Sequence, residues 1–150
     1  MKHTNPVNPK DAIADGKIPM GMWPKTASAL GALVLLDGAL RYGRLNWRAM
    51  GARASVYNDA IERHLAAWYE GEDMDPESGL PHLAHILACA EILVDSQANG
   101  NLVDDRQFPG GYRRLADEVT PHVRRLKELR ADKDPKHFTI ADAAQEEEPG

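Results

Sequence analysis

The chain has few of the features that mark secreted, membrane-spanning or nucleic-acid-binding proteins. It contains a single cysteine, Cys89, so an intrachain disulfide is excluded and a reducing cytosol is the expected setting. No apolar run approaches the roughly 20 residues that cross a bilayer, and the polar N-terminal segment has no signal-peptide pattern. The net charge of −5 argues against general binding to nucleic-acid polymers, which need a basic surface. We therefore expect a cytoplasmic protein that binds neither a membrane nor a nucleic-acid polymer.

The alternation of apolar and polar residues that is typical of β-strands is also absent, whereas helical patterns recur along the chain. Four helices are predicted, over residues 25–42, 55–70, 80–97 and 112–131. Gly43 and Gly71 are predicted to end the first two. Residues 1–23 are predicted to form an arm without a helix, and residues 132–150 a frayed tail. The predicted fold is an all-α bundle of about four helices, with one domain over residues 1–131.

The most informative segment is residues 55–95, in which two helical patterns flank a short acidic connection. On the second helix one stripe predicts inward-facing side chains, namely Tyr57, Ile61, His64, Leu65 and Trp68. On the third helix, Leu80, Leu83, Leu87, Ala90 and Val94 are predicted to form an apolar face, opposite His82, His85 and Cys89. The i, i+3 spacing of His82 and His85 brings both rings to one side of the helix, close enough to share a metal or a phosphate. We expect these imidazoles and the loop acids Glu72, Asp75 and Glu77 to converge on one cavity.

Several of these residues, and two acids of the second helix, also have a purely structural explanation. His64 is equally explained as a core histidine that is hydrogen-bonded to a neighbour. Glu77 precedes the third helix, where a negative charge complements the helix dipole without any ligand. Asp59 and Glu62, three residues apart on the second helix, are typical of a solvated acidic face.

A second cluster is basic and aromatic. The segment RYGRLNWR supplies Arg41, Asn46 and Trp47, and Arg63 lies on the following helix. Arginine binds phosphate through two parallel hydrogen bonds, and a tryptophan ring offers a surface for a base. The cluster therefore indicates an anion site, although cations at a helix end also complement its dipole.

Several of these motifs together resemble a known family. Lys10-Asp11, Gly16-Lys17, RYGRLNW and the long string DAIERHLAAWYEGEDMDPESGLPHLAHI are similar to the N-terminal domain of phage-type dATP/dGTP diphosphohydrolases. These are grouped with the MazG-like all-α nucleotide pyrophosphohydrolases, and the resemblance covers about residues 8–97. It implies a MazG-like bundle, a homo-oligomer (a dimer or larger), and the host cytoplasm if the protein is phage-encoded.

The resemblance also implies an activity, the metal-dependent hydrolysis of a purine deoxynucleoside triphosphate to the monophosphate and pyrophosphate. His82 and His85 stand where that pattern has acids, and imidazoles favour Mn²⁺ or other transition metals over Mg²⁺. The expected cofactor is a divalent metal ion, and Mn²⁺ or Mg²⁺ is expected ahead of other transition metals. The predicted roles are catalysis by His64, Glu72 and Asp75, metal binding by Glu77, His82 and His85, and nucleotide binding by Lys10, Lys17, Arg41, Asn46, Trp47 and Arg63.

Two other functions remain open. A non-catalytic protein that binds or sequesters a nucleotide or cyclic nucleotide is favoured by the missing acids and the retained basic-aromatic cluster. A structural interaction module, assembled through the charged helix 112–131, is the third.

Overall fold

The computed structural model describes residues 8–143, and helices dominate this part of the chain. The helices are α1 (Pro9–Ala14), α2 (Lys25–Tyr42), α3 (Asn46–Met50), α4 (Ala54–Tyr69), α5 (His82–Ala98), α6 (Tyr112–Val119), α7 (Pro121–Leu129) and α8 (Ile140–Ala143). A 3₁₀ turn covers Met20–Met22, and the strands β1 (Ala52–Arg53) and β2 (Leu102–Val103) pair in parallel. The prediction of an all-α fold is confirmed, because the two strands contribute only two residues each.

Glycines end two of the long helices near the predicted positions. Gly43 has φ 94° directly after α2, and Gly71 has φ 100° two residues after α4. This region of backbone conformation favours glycine, which has no Cβ to clash with the carbonyl.

The two ends of the chain contain more helix than predicted. The prediction that residues 1–23 hold no helix is wrong, since α1 begins after Asn8, whose side-chain oxygen accepts the Lys10 N–H at 3.0 Å. Within the predicted tail, residues 140–143 form α8. Residues 1–7 and 144–150 lie outside the described residues.

The predicted continuous helix over residues 112–131 is also wrong, because the chain forms α6 and α7 with a junction at Thr120. Pro121 has no N–H to donate to the carbonyl one turn earlier, and its ring crowds that carbonyl. Proline is tolerated in the first turn of a helix, so a new helix starts there.

The core lies around α5, which packs on α4 and α2 and touches α3 and both strands. The most buried apolar side chains of this core are small: Ala52, Ala54, Ala84 and Ala88. Gly31 of α2 is buried too, and a Cβ added there would lie 3.2 Å from Leu87 Cδ2. Small residues let the helix backbones approach closely, which brings side chains of α4 and α5 within hydrogen-bonding distance.

The predicted apolar face of α5 is only partly buried: Leu87 packs at Gly31 of α2, but the side that carries His82 is more enclosed. Leu83 and Val94 are 49% and 68% exposed, whereas His82 is only 3% exposed. The neighbouring helices pack on the side that carries the small alanines, so the histidine side becomes the interior. Leu65, predicted to face inward on α4, is likewise 46% exposed.

Candidate functional site

The acidic loop between α4 and α5 is folded back by its own backbone. Asp75 N donates to Leu80 O at 2.8 Å, and His82 N donates to Asp73 O at 2.9 Å. The Asp75 carboxylate also accepts the Ser78 N–H at 3.0 Å. This turn holds the carboxylate beside the first turn of α5, where the histidines begin.

A first hydrogen-bonded chain runs from the loop through His82 to His64. Glu72 Oε1 lies 2.7 Å from His82 Nε2, and His82 Nδ1 lies 2.8 Å from His64 Nδ1. An ionised carboxylate only accepts, so His82 carries its proton on Nε2, and in the neutral ring Nδ1 is then the acceptor. His64 consequently donates from Nδ1, which leaves the lone pair of His64 on Nε2.

A second chain runs from the same loop to His85. The Ser78 hydroxyl donates to Asp75 Oδ2 at 2.7 Å and lies 2.7 Å from His85 Nε2. The single hydroxyl proton is directed at the carboxylate, so His85 Nε2 donates to the hydroxyl oxygen and His85 Nδ1 keeps the lone pair. Each chain thus ends in a carboxylate and leaves one free imidazole lone pair.

The two imidazoles that keep these lone pairs are stacked on each other. The rings of His64 and His85 lie 4.4 Å apart, with 10° between their planes. Burial lowers the pKa of His64, and the neighbouring His85 and His82 lower it further. Burial likewise lowers the pKa of His85, and this outweighs the opposing attraction of Asp75. Both rings are therefore held neutral near pH 7, the form in which imidazole binds metals and accepts protons.

Asp75 is the ionised partner of this pair of rings. Its burial alone would raise its pKa, but the hydrogen bonds from the Ser78 hydroxyl and N–H outweigh that effect, and the pKa of Asp75 is lowered. The carboxylate is 3.6 Å from His85 Nε2. The site thus combines a stable negative charge with neutral nitrogen donors.

The histidines line a cavity of about 500 Å³ that also receives cationic groups. Its lining comprises Asp37, Arg41, Arg63, His64, Asp75, Glu77, Ser78, His82 and His85. Arg41 pairs with Asp37 at 2.7 Å, one helical turn away on α2. Two guanidinium groups beside three imidazoles and three carboxylates suit a polyphosphate together with a cation.

The chemistry of the donor groups fits a divalent metal. His64, Asp75 and His82 each offer one ligand atom, and these three atoms lie within 4.8 Å of one another. Two imidazoles and a carboxylate suit Mn²⁺, Fe²⁺, Co²⁺ or Zn²⁺ better than Mg²⁺. Of the three predicted metal ligands, only His82 belongs to this group of three atoms. Glu77 and His85 line the same cavity but do not belong to the group.

The structure brings together seven of the predicted site residues, which are Arg41, Arg63, His64, Asp75, Glu77, His82 and His85. Glu72 does not line the cavity but is bonded to His82. Lys10 and Lys17 are exposed on the N-terminal arm, away from the cavity lining.

Asn46 and Trp47 also lie elsewhere. Trp47 Nε1 donates to Asp95 at 2.7 Å, and Arg48 adds two bonds to the same carboxylate, so α3 is fastened to α5. The Arg48 and Trp47 bonds lower the pKa of Asp95 to about 2. Trp47 borders a separate apolar cavity beside α2.

Two residues of the site were missed by the sequence reasoning. Asp37 is four residues before Arg41, a spacing that pairs opposite charges on a helix and could have identified it. Ser78 had no such signal, because its role depends on the folded turn that points its hydroxyl at both Asp75 and His85.

The fold and the site define a helical domain in which histidines and carboxylates of one hairpin meet beside two arginines. The chain belongs to the family described as "dATP/dGTP diphosphohydrolase, N-terminal", which matches residues 7–106. It is 30% identical over 109 residues to the dATP/dGTP diphosphohydrolase of Salmonella phage PMBT28. The predicted family is confirmed.

That alignment covers 71% of this chain but 37% of the phage protein, so the chain spans little more than a third of that relative. No solved structure matches the chain. Among residues 8–143, none of the helices has the length and apolar character needed to pass through a bilayer.

Proposed function

We propose that this chain hydrolyses purine deoxynucleoside triphosphates to the monophosphate and pyrophosphate in a divalent-cation-dependent reaction at the histidine cavity. The observation that carries this proposal is the joint placement of three imidazoles, three carboxylates and two arginines around a single cavity. Membership of the dATP/dGTP diphosphohydrolase N-terminal family supports the choice of substrate.

In this proposal the arginines bind the phosphates, and an imidazole accepts the proton of the attacking water. Arg41 and Arg63 hold phosphate oxygens. A water oxygen attacks the α-phosphorus, the bond from this phosphorus to the α–β bridging oxygen breaks, and pyrophosphate leaves. His85 accepts the proton of the water at Nδ1, because its Nε2 is engaged by the Ser78 hydroxyl and His85 lies outside the group of candidate cation ligands.

The candidate cation ligands are His64, Asp75 and His82, and His82 would bind through Nδ1 in place of its hydrogen bond to His64. A bound divalent cation supplies positive charge that offsets the charge of the phosphate oxygens. Glu72 orients His82 through its hydrogen bond, and such partners of a metal-binding histidine are worth about 10- to 100-fold in metal affinity.

The direct test is incubation with each deoxynucleoside triphosphate and Mn²⁺, Mg²⁺ or Zn²⁺, followed by chromatography of the products. We expect dATP or dGTP to give the monophosphate and pyrophosphate. Arg63→Gln, an exposed change, should raise KM, and His85→Ala should lower kcat by roughly 100-fold or more. The matched control is His122→Ala on exposed α7. Full recovery of every triphosphate would refute the proposal.

A second candidate is a binder that returns its nucleotide intact. It is favoured by the position of Asp59 and Glu62, the pair of acids three residues apart on α4. These carboxylates border a different cavity with Asp105 and Arg106, so they add no cation ligands beside the histidines. Equilibrium dialysis with and without EDTA separates the two functions. Tight binding that persists in EDTA, with the ligand recovered uncleaved, would favour the binder.

We also propose that the protein forms a homo-oligomer. Leucines on α2 remain substantially exposed, namely Leu30, Leu33, Leu36 and Leu40. Large exposed apolar faces on a helix are typical of subunit contacts. Light scattering after gel filtration would show a mass above 16.5 kDa if this is right.

A further inference from the structure

A second cavity lies where the C-terminal segment crosses the end of α4. It measures about 480 Å³ and is lined by Trp68, Tyr69, Gly71, Asp73, His137, Phe138, Thr139 and Ile140. We call it the aromatic cleft. Its volume is within the range of small-molecule sites, and its rings are of the kind that bind flat ligands.

Bonds within the C-terminal segment hold this cleft in shape. Asp142 accepts the Thr139 N–H at 2.7 Å and a bond from the Lys136 ammonium. The same ammonium lies 5.0 Å from the centre of the Phe138 ring, within reach of a cation–π contact. These contacts fix the turn that presents Phe138 to the cleft.

The segment also rests directly on the end of the α4–α5 hairpin. A Cβ added to Gly71 would lie 3.4 Å from Ile140 Cγ2, so the Ile140 side chain packs on this backbone. Glycine at position 71 therefore leaves room for the C-terminal segment as well as permitting the turn.

The aromatic cleft and the histidine cavity are lined by neighbouring residues of the α4–α5 hairpin. Trp68 follows His64 by four residues on α4, which places it one helical turn further along the same side. Asp73 lines the cleft, and its carbonyl accepts the His82 N–H. Both sites are thus built on the same stretch of chain, residues 64–82.

We propose that the aromatic cleft binds the purine base of the nucleotide, while the phosphates occupy the histidine cavity. Trp68, Tyr69 and Phe138 offer ring faces for stacking, and the Asp73 carboxylate accepts hydrogen bonds from ring N–H and amino groups of the base. The choice of a base as occupant rests on the proposed function. Tyr69 and Phe138 are 78% and 74% exposed, so a flat ligand reaches them without unfolding the segment.

The test uses deoxyguanosine, which has the base and sugar but no phosphate, so that binding is measured apart from hydrolysis. In NMR titrations of the full chain we expect shifts of the Trp68 indole and Phe138 ring signals. Phe138→Ala should weaken this binding roughly 5- to 100-fold, the range for losing a base–aromatic stack. Phe108→Ala is the matched control, since Phe108 is 95% exposed and lines neither cavity.

Each other result is decisive. The absence of shifts at Trp68 and Phe138, or equal affinity of Phe138→Ala and wild type, would overturn the base site. If the Trp68 and Phe138 signals of the ligand-free protein changed with protein concentration, that would also overturn the base site, because a second copy of the chain would then occupy the cleft. Nucleoside binding without triphosphate cleavage would support the cleft and reject only the proposed hydrolysis. Triphosphate cleavage without nucleoside binding would support the proposed hydrolysis and reject the base site in the cleft.

Discussion

The α4–α5 hairpin and the α6–α7 pair are both built from helices, but they use their apolar residues in opposite ways. The hairpin buries alanines and polar rings, with His82 almost wholly enclosed. The pair has a strong apolar stripe that stays about half exposed, consisting of Leu115, Val119, Val123, Leu126 and Leu129. Within the described residues, neither of its helices makes an extensive contact with the hairpin or with α2. Strong amphipathic periodicity therefore predicts that a helix forms, but not that its apolar face meets the core.

The largest effect that would test this contrast is expected at His82. Replacing it with Ala leaves a void and removes the partners of both Glu72 and His64. We expect a loss of roughly 3 kcal/mol in unfolding free energy, measured by urea denaturation. His122→Ala on α7 should change it by less than about 0.5 kcal/mol. Equal effects of the two variants would contradict the contrast.

A smaller effect is expected at the contact between α2 and α5. Gly31→Val places methyl groups against Leu87, where a Cβ alone is already at 3.2 Å. We expect a destabilisation of about 1–3 kcal/mol from overpacking, read out by chemical denaturation. Gly38→Val on the same helix is the control, because a Cβ there meets nothing within 4 Å. If Gly38→Val proved the more harmful, close helix approach would not explain the buried glycine.

Acidification should weaken the hairpin and spare the pair. The folded-state pKa values of His64 and His85 are lowered, so below about pH 6.5 the unfolded chain binds more protons than the folded one. Unfolding free energy should therefore fall as the pH drops from 7.5 to 5.5. The effect should be smaller than that of losing His82, because both rings keep some contact with solvent. Thermal melts across this range give the measurement, and a flat profile would contradict the assignment of neutral rings.

The smallest effect is expected within the α6–α7 pair. Leu126→Ala removes a side chain that is already about half exposed. We expect a loss below about 1 kcal/mol, since little apolar surface returns to water. Denaturation at low protein concentration gives the measurement. A loss comparable to that of His82→Ala would show that the stripe is buried in solution.

Sequence patterns located most of the long helices because glycines mark their ends, as at Gly43 and Gly71, whereas the break at Pro121 was missed. They could not tell which face of α5 is interior, since Leu83 and His82 both lie on apolar stretches. That choice depends on close packing by Ala84 and Ala88, which is a property of the assembled helices.

The candidate site followed a similar division. His64, His82, His85 and the loop acids were predicted to converge because a short hairpin constrains where its side chains can lie. The positions of Asn46 and Trp47 depend on a bond to Asp95, which is distant in sequence, so local patterns could not reveal them. The orientation of Ser78 likewise required the folded turn.

The parallel pairing of β1 with β2 has a consequence for how this chain could be rearranged. Because Ala52 lies beside Leu102, the backbone enters and leaves the hairpin through neighbouring points. A segment with adjacent ends can be inserted into a surface loop of a host protein without stretching it. Residues 52–103 are therefore a candidate for insertion into another protein as one unit. This segment contains the three histidines and the two loop carboxylates of the hydrogen-bonded chains.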